Sequence, residues 1–151
     1  MENEILLASL QTSFPEVEII IGSDWPEMSI EASQLLPIIE KLKQTDSWDF
    51  DYLFCETCID WKTHFTMVYH LSSTQYRHSM VIKAKVNREE PQIESVVKLY
   101  KTAELLEREV FDLFGIIFLN HPDLRRLLLS EDWVGHPLRK DYDDPINMIK
   151  L

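Results

Sequence analysis

Two stretches of alternating residues constrain this chain more than anything else in it. In "HFTMVYHL", Phe65, Met67, Tyr69 and Leu71 fall on one side, and His64, Thr66, Val68 and His70 on the other. In "MVIKAKV", Met80, Ile82, Ala84 and Val86 alternate with Val81, Lys83 and Lys85. A period of two puts each set on one face of a strand. The link "SSTQYRHS" is polar and hairpin-like. The pair therefore predicts neighbouring strands with one apolar face, and that face needs a second layer to cover it.

Helical text supplies the layer. Residues 4–10 read as a short amphipathic helix stopped by "SFP". Residues 33–44 carry Leu35, Leu36, Ile38, Ile39 and Leu42 at helical spacing, with Pro37 placed in the first turn or at a kink. Residues 102–114 form a third helix, and Gly115 suits the position just past its end. Further strands are expected at residues 17–21, across "LFCETCIDW" and at "IESVVKLY". A short helix is expected over 120–129, with Pro122 at its first position and Asn120 or His121 as cap. After Ser130 the text is non-periodic and contains Pro137. The predicted fold class is α+β: a two-layer, mostly antiparallel or mixed sheet with helices packed on it, and an extended C-terminal arm. Residues 1–130 would be the domain. Residues 131–151 would be an arm that makes few contacts with the body and docks on a partner subunit.

Charge narrows the function classes. The formal net charge is -11. Residues 1–60 hold 13 acids against only Lys41 and Lys43, whereas the remainder is balanced. Such a surface repels nucleic acid. The chain has only three glycines, so a glycine-rich phosphate loop is excluded. No run is long and apolar enough for a membrane span, and the acidic N-terminus is unlike a secretory signal, so a soluble, cytoplasmic chain is expected. Cys55 and Cys58 form a lone CxxC with no second pair to complete a zinc site. On a strand, residues three apart face opposite sides, so the two read as structural thiols.

The stretch from Glu104 to Leu129 sets charges among its largest apolar residues. On a helical wheel, Ala103, Leu105, Leu106, Val110, Leu113 and Phe114 make one arc. Glu109 falls inside that arc and Asp112 at its margin, while Glu107 and Arg108 point away. A carboxylate in an apolar face needs a partner, and Arg125, Arg126, Arg139 and Lys140 are the nearest supply. Three readings follow: an ion-pair network within the domain, acid–base or metal chemistry using Glu109, Asp112, His121 and His136, or a docking interface.

The same stretch resembles the signature of the 30 kDa subunit family (the C subunit) of the proton-translocating NADH:quinone oxidoreductase, respiratory complex I. The matching residues are Glu107-Arg108-Glu109, Asp112-Leu113-Phe114-Gly115-Ile116, Phe118, and His121-Pro122-Asp123-Leu124-Arg125-Arg126. Trp133 and Gly135-His136-Pro137-Leu138-Arg139-Lys140-Asp141-Tyr142 complete the match. The resemblance implies a non-catalytic scaffold on the peripheral arm, at the inner face of the cell membrane. Such a scaffold holds no cofactor of its own. Its implied partners are the large quinone-pocket subunit (D) and the iron–sulfur subunits (B and I). The implied interface and ion-pair residues are Glu107, Arg108, Glu109, Asp112, His121, Arg125, Arg126, Trp133, His136, Arg139, Lys140 and Asp141. The same domain type in membrane-bound hydrogenases and related dehydrogenases is the nearest alternative, and a stand-alone metal-dependent hydrolase is a more distant one.

Overall fold

A computed structural model describes residues 2–148. In chain order the elements are α1 (Asn3–Ser13), β1 (Glu18–Ile21), β2 (Pro26–Glu31), α2 (Leu35–Gln44), β3 (Tyr52–Asp60), β4 (His64–Ser72), β5 (Ser79–Asn87), β6 (Gln92–Glu94), α3 (Ala103–Phe114) and β7 (Ile117–Leu119). The two alternating segments are β4 and β5, paired antiparallel. Phe65 lies opposite Val86, Met67 opposite Ala84, Tyr69 opposite Ile82 and Leu71 opposite Met80. All eight are buried in one core. Burying that face fixes the register, since a one-residue slip would turn every one of these side chains outward.

The main sheet has the order β1-β2-β5-β4-β3. β2 runs parallel to β5, and the other neighbours are antiparallel, so the sheet is mixed. Helices α1, α2 and α3 bury Leu6, Leu10, Leu35, Ile38, Ile39, Leu42, Ala103 and Val110 into the same core. Pro37 sits in the first turn of α2, where its missing N–H has no carbonyl to serve. β6 and β7 form a separate parallel pair.

Two expected elements do not form. "IESVVKLY" is strand only at its start, and then turns, with the Leu99 and Tyr100 amides both donating to the Val96 carbonyl. The chain is drawn away from the sheet because a carboxylate from α3 takes the Val96 amide and the Ser95 hydroxyl. Residues 120–129 are not helical. The amides of Leu127, Leu128 and Leu129 point at Asp112, and the carbonyls of Arg125 and Arg126 accept from Arg108. β2 is not among the expected strands, although Pro26, Met28 and Ile30 alternate inward.

A bulge in β3 between Leu53 and Cys55 shifts its register. Beyond it Glu56, Cys58 and Asp60 lie opposite Tyr69, Met67 and Phe65, on the core side, and Cys55 lies opposite His70 on the other side. The two thiols therefore face apart as expected, and both are free. Burial pushes the Cys58 thiol up to about 12.

Candidate functional site

The site is built on the last two turns of α3. An α-helix leaves its final four carbonyls without partners inside the helix. Here all four are met. The Phe111 carbonyl accepts from the Gly115 amide at 2.9 Å. The Asp112 carbonyl accepts from Arg126 Nη1 at 3.1 Å and from His136 Nδ1 at 3.0 Å. The Leu113 carbonyl accepts from the Leu138 amide at 3.0 Å. The Phe114 carbonyl accepts from Arg139 Nε at 2.6 Å. Two guanidiniums thus sit at the negative end of the helix dipole.

Asp112 is the hub. Its side chain has no exposed surface. Oδ1 accepts from Arg126 Nη1 at 2.8 Å. Oδ2 accepts from the amides of Leu127, Leu128 and Leu129 at 3.1, 2.7 and 2.9 Å. Burial alone would raise the Asp112 carboxyl, but the Leu129 amide, the Arg126 guanidinium and the other two amides hold it below the usual carboxylate range. Arg126 also donates through Nη2 to the carbonyls of Trp133 and Gly135, both at 3.0 Å. One ion pair therefore ties together the helix, residues 126–129 and the tail.

The tail is tied down a second time at the β3–β4 turn. Asp60 accepts from the Lys62 amide at 2.7 Å and the Lys140 amide at 2.8 Å, and it pairs with Arg88. Arg88 reaches on to Asp141 at 2.9 Å. The guanidiniums of Arg88 and Arg139 stand over the Phe65 ring at 4.7 and 5.2 Å, and Lys140 stands over Trp61 at 5.8 Å. Residues 133–141 are thus a strap fastened across the domain, and for them the expectation of few contacts with the body is corrected. The last three residues of the expected arm, 149–151, lie outside the described residues.

The helical phase read from hydrophobicity is also corrected. Glu109 is exposed, whereas Glu107, Arg108 and Asp112 are buried. Leu105, placed within the apolar arc, is 55% exposed. Glu107 accepts from the Ser95 hydroxyl at 2.6 Å and the Val96 amide at 2.7 Å. Arg108 donates to the Arg125 and Arg126 carbonyls at 3.1 and 3.0 Å. His121 donates through Nε2 to the Glu104 carbonyl at 3.0 Å and accepts the Asp123 amide at Nδ1, which fixes its tautomer. Arg125 is exposed and pairs with Asp123 at 2.9 Å. The indole nitrogen of Trp133 is buried without a hydrogen-bond partner in the described chain. Among the described residues no group of three or more His, Cys, Asp or Glu could hold a metal ion. Sequence reasoning missed Asp60, Arg88 and Ser95, whose roles depend on the fold bringing distant segments together.

Gly115 joins the two halves of the site. Its φ is +74°, in the left-handed region where a Cβ is unfavourable. A Cβ there would also stand 2.6 Å from the His136 ring and 2.7 Å from Arg139 Nη2. Gly115→Ala is expected to destabilise the chain by about 2 kcal/mol or more, since the strain comes from both the backbone and the strap. A chemical-denaturation midpoint within error of the parent would show that the strap does not press on Gly115.

What the fold and site define together is a small α+β domain with a fixed C-terminal strap. Comparison with known proteins makes that class specific. The family model described as "Respiratory-chain NADH dehydrogenase, 30 Kd subunit" matches residues 28–146, and the chain belongs to that family. The C subunit of the NADH-quinone oxidoreductase of Moorella thermoacetica is 38% identical over 138 residues, which cover 90% of this chain and 92% of that protein. The C subunit of the Trichlorobacter lovleyi enzyme is 41% identical over 143 residues, covering 92% and 86%. The C/D subunit of the NADH-quinone oxidoreductase of Phocaeicola vulgatus is 45% identical over 114 residues, 74% of this chain but only 22% of that longer protein. A trypsin-resistant fragment of Nqo5 superposes with a TM-score of 0.69 at 25% identity, over 82% of this chain and all of the fragment. A chain of an archaeal membrane-bound sulfane sulfur reductase shares the fold, with a TM-score of 0.79 at 22% identity over 93% of this chain and 85% of its own. These likenesses support membership of a respiratory complex of the complex I type, on its peripheral arm. Among the described residues no helix is long and apolar enough to cross a membrane.

Proposed function

We propose that this chain is a non-catalytic scaffold in the peripheral arm of a proton-translocating NADH:quinone oxidoreductase, on the inner face of the cell membrane. It holds the large quinone-pocket subunit (D), with the iron–sulfur subunits (B and I) as neighbours. Electron transfer runs through cofactors carried by those chains, and this one has no catalytic residue of its own. Glu107, Arg108, Asp112, Arg126, His136, Arg139 and the Asp60–Arg88–Asp141 chain act on the partner indirectly, by shaping the surface it meets.

The observation that carries the reading is what the strap leaves outside. Val134 is 87% exposed, Leu128 63%, Leu105 55% and Leu138 52%, although the backbone beside them is tied to Arg126, Asp112 and Leu113. Apolar side chains held outward on a rigid backbone suit a permanent interface, because little ordering entropy remains to be lost on docking. Charged residues beside them, Glu109 and Arg125, would then select partner and register.

The test is affinity purification of the tagged chain from its native membrane, followed by identification of the chains that come with it. The quinone-pocket and iron–sulfur subunits should co-purify in constant ratio with quinone reductase activity. Recovery of the chain alone, from membranes that retain full activity, would overturn the proposal. Hydrogenase subunits in place of an NADH-oxidising module would move the chain to the related assembly.

A further inference from the structure

We propose that Glu56 is a neutral carboxylic acid set against the Glu107 carboxylate, and that this buried acid pair makes the seating of α3 on β3 dependent on pH. Glu56 is 4% exposed, and neither of its carboxyl oxygens has a hydrogen-bond partner in the described chain. It comes to the core face through the β3 bulge, a device that commonly re-aims a side chain. Its register partner on β4 is Tyr69, which is 0% exposed and whose hydroxyl is likewise unpartnered. From α3 it feels Glu107, also 0% exposed.

No Lys or Arg pairs with these two acids among the described residues. The β4 side presents the Tyr69 phenol and β3 itself the Cys58 thiol. The segment before α3 presents the Ser95 hydroxyl and the Val96 amide, both taken by Glu107. The segment after β7 presents His121, whose Nε2 lies 3.8 Å from Glu107 Oε2 but donates to the Glu104 carbonyl. Arg108, next to Glu107 in sequence, is committed to the Arg125 and Arg126 carbonyls.

An isolated charge in such a place is costly enough that the group takes up a proton instead. The two carboxyls differ in which can bear ionisation. Glu107 has two donors to stabilise its anion, and burial pushes it up only to about 7. Glu56 has none, and burial, with the Glu107 charge added, pushes it well above the usual carboxylate range. The proton therefore stays on Glu56 when Glu107 gives its own up.

The sign of the linkage follows. A carboxyl raised in the folded state stabilises most at pH below its unfolded value, and the contribution is lost as pH rises through the folded value. The loss due to Glu107 falls between about pH 4.3, the ordinary Glu value, and about 7. That due to Glu56 starts from the same ordinary value and extends upward, because burial and the Glu107 charge hold its carboxyl well above it. His70, His78 and His136 are lowered by burial and act in the opposite direction as pH rises through the histidine range. The informative quantity is therefore the difference between wild type and a Glu56 variant, not the raw slope.

The full chain should be melted between pH 5 and 9 as wild type and as Glu56→Gln, which keeps the shape of a protonated glutamate but cannot ionise. The advantage of Glu56→Gln over wild type should be smallest at pH 5 and should grow by about 4 °C or more by pH 9. Equal melting differences at every pH would overturn the proposal. A second measurement does not depend on the variant's folding. The infrared C=O stretch of a neutral carboxyl should persist in labelled wild-type protein at pH 8 and be insensitive to Tyr69→Phe. Its absence at pH 8 would equally overturn the acid pair.

Discussion

Asp112→Ala is expected to remove about 3–5 kcal/mol of stability, the cost of leaving a buried charge without its partner. The substitution orphans the Arg126 guanidinium and the three amides of residues 127–129 together. Since a domain of this kind has about 5–15 kcal/mol in all, the loss would be severe. Glu109→Ala, on the exposed side of the same helix, should cost under about 1 kcal/mol. Denaturant unfolding of both variants gives the comparison directly. Amide exchange would locate the damage: residues 133–142 should lose protection in Asp112→Ala before the β4–β5 pair does. Equal costs for the two substitutions would mean that α3 is rotated from the position described. The pH dependence is a further check. The Asp112 carboxyl is held below its ordinary value, so its contribution is present above the unfolded pKa of about 3.9 and is lost as pH falls through the folded value. Acid should therefore loosen the strap, and Asp112→Ala should lose that share of the acid sensitivity while keeping the share due to Asp60, which is held low by Arg88 and the Lys140 and Lys62 amides.

Why hydrophobicity placed Glu109 inside and Glu107 outside is itself physical. The wheel assumes that charged residues seek water, which holds unless the fold brings them partners. Glu107 finds its donors at Ser95 and Val96, and Asp112 finds its own at residues 126–129. None of these is within the helix, so no helical period encodes them. The helix extent and Gly115 at its end were legible, because an amphipathic span and a left-handed terminus are local properties. So were β4 and β5, where the period of two is unbroken. The family signature contains Glu107, Arg108, Asp112 and Arg126, whose partners only the fold supplies, but also Glu109 and Arg125, which lie exposed, and it lacks Asp60 and Arg88. The helix expected at Pro122 failed for the complementary reason: Arg108 and Asp112 claim the backbone groups a helix would have used.

Placing Arg139 inside the strap changes where a test of docking should be aimed. Arg139→Ala would now uncap the Phe114 carbonyl and disturb the fold, so lost assembly would not distinguish scaffold from interface. Val134 is the cleaner position. At 87% exposure its side chain supports little of the isolated domain, and Val134→Asp should leave the chain's melting temperature within about 2 °C of the parent. If the strap face is buried against a partner, the new carboxylate enters an apolar interface unpaired. A loss of about 2 kcal/mol or more is expected there, roughly thirtyfold in affinity. Assembled complex, measured on native gels of the same membranes, should fall accordingly. Under the proposed scaffold role, quinone reductase turnover per assembled complex should change much less. Normal amounts of complex would mean that the partner does not cover Val134. Normal amounts with abolished turnover would place this face in the coupling machinery instead.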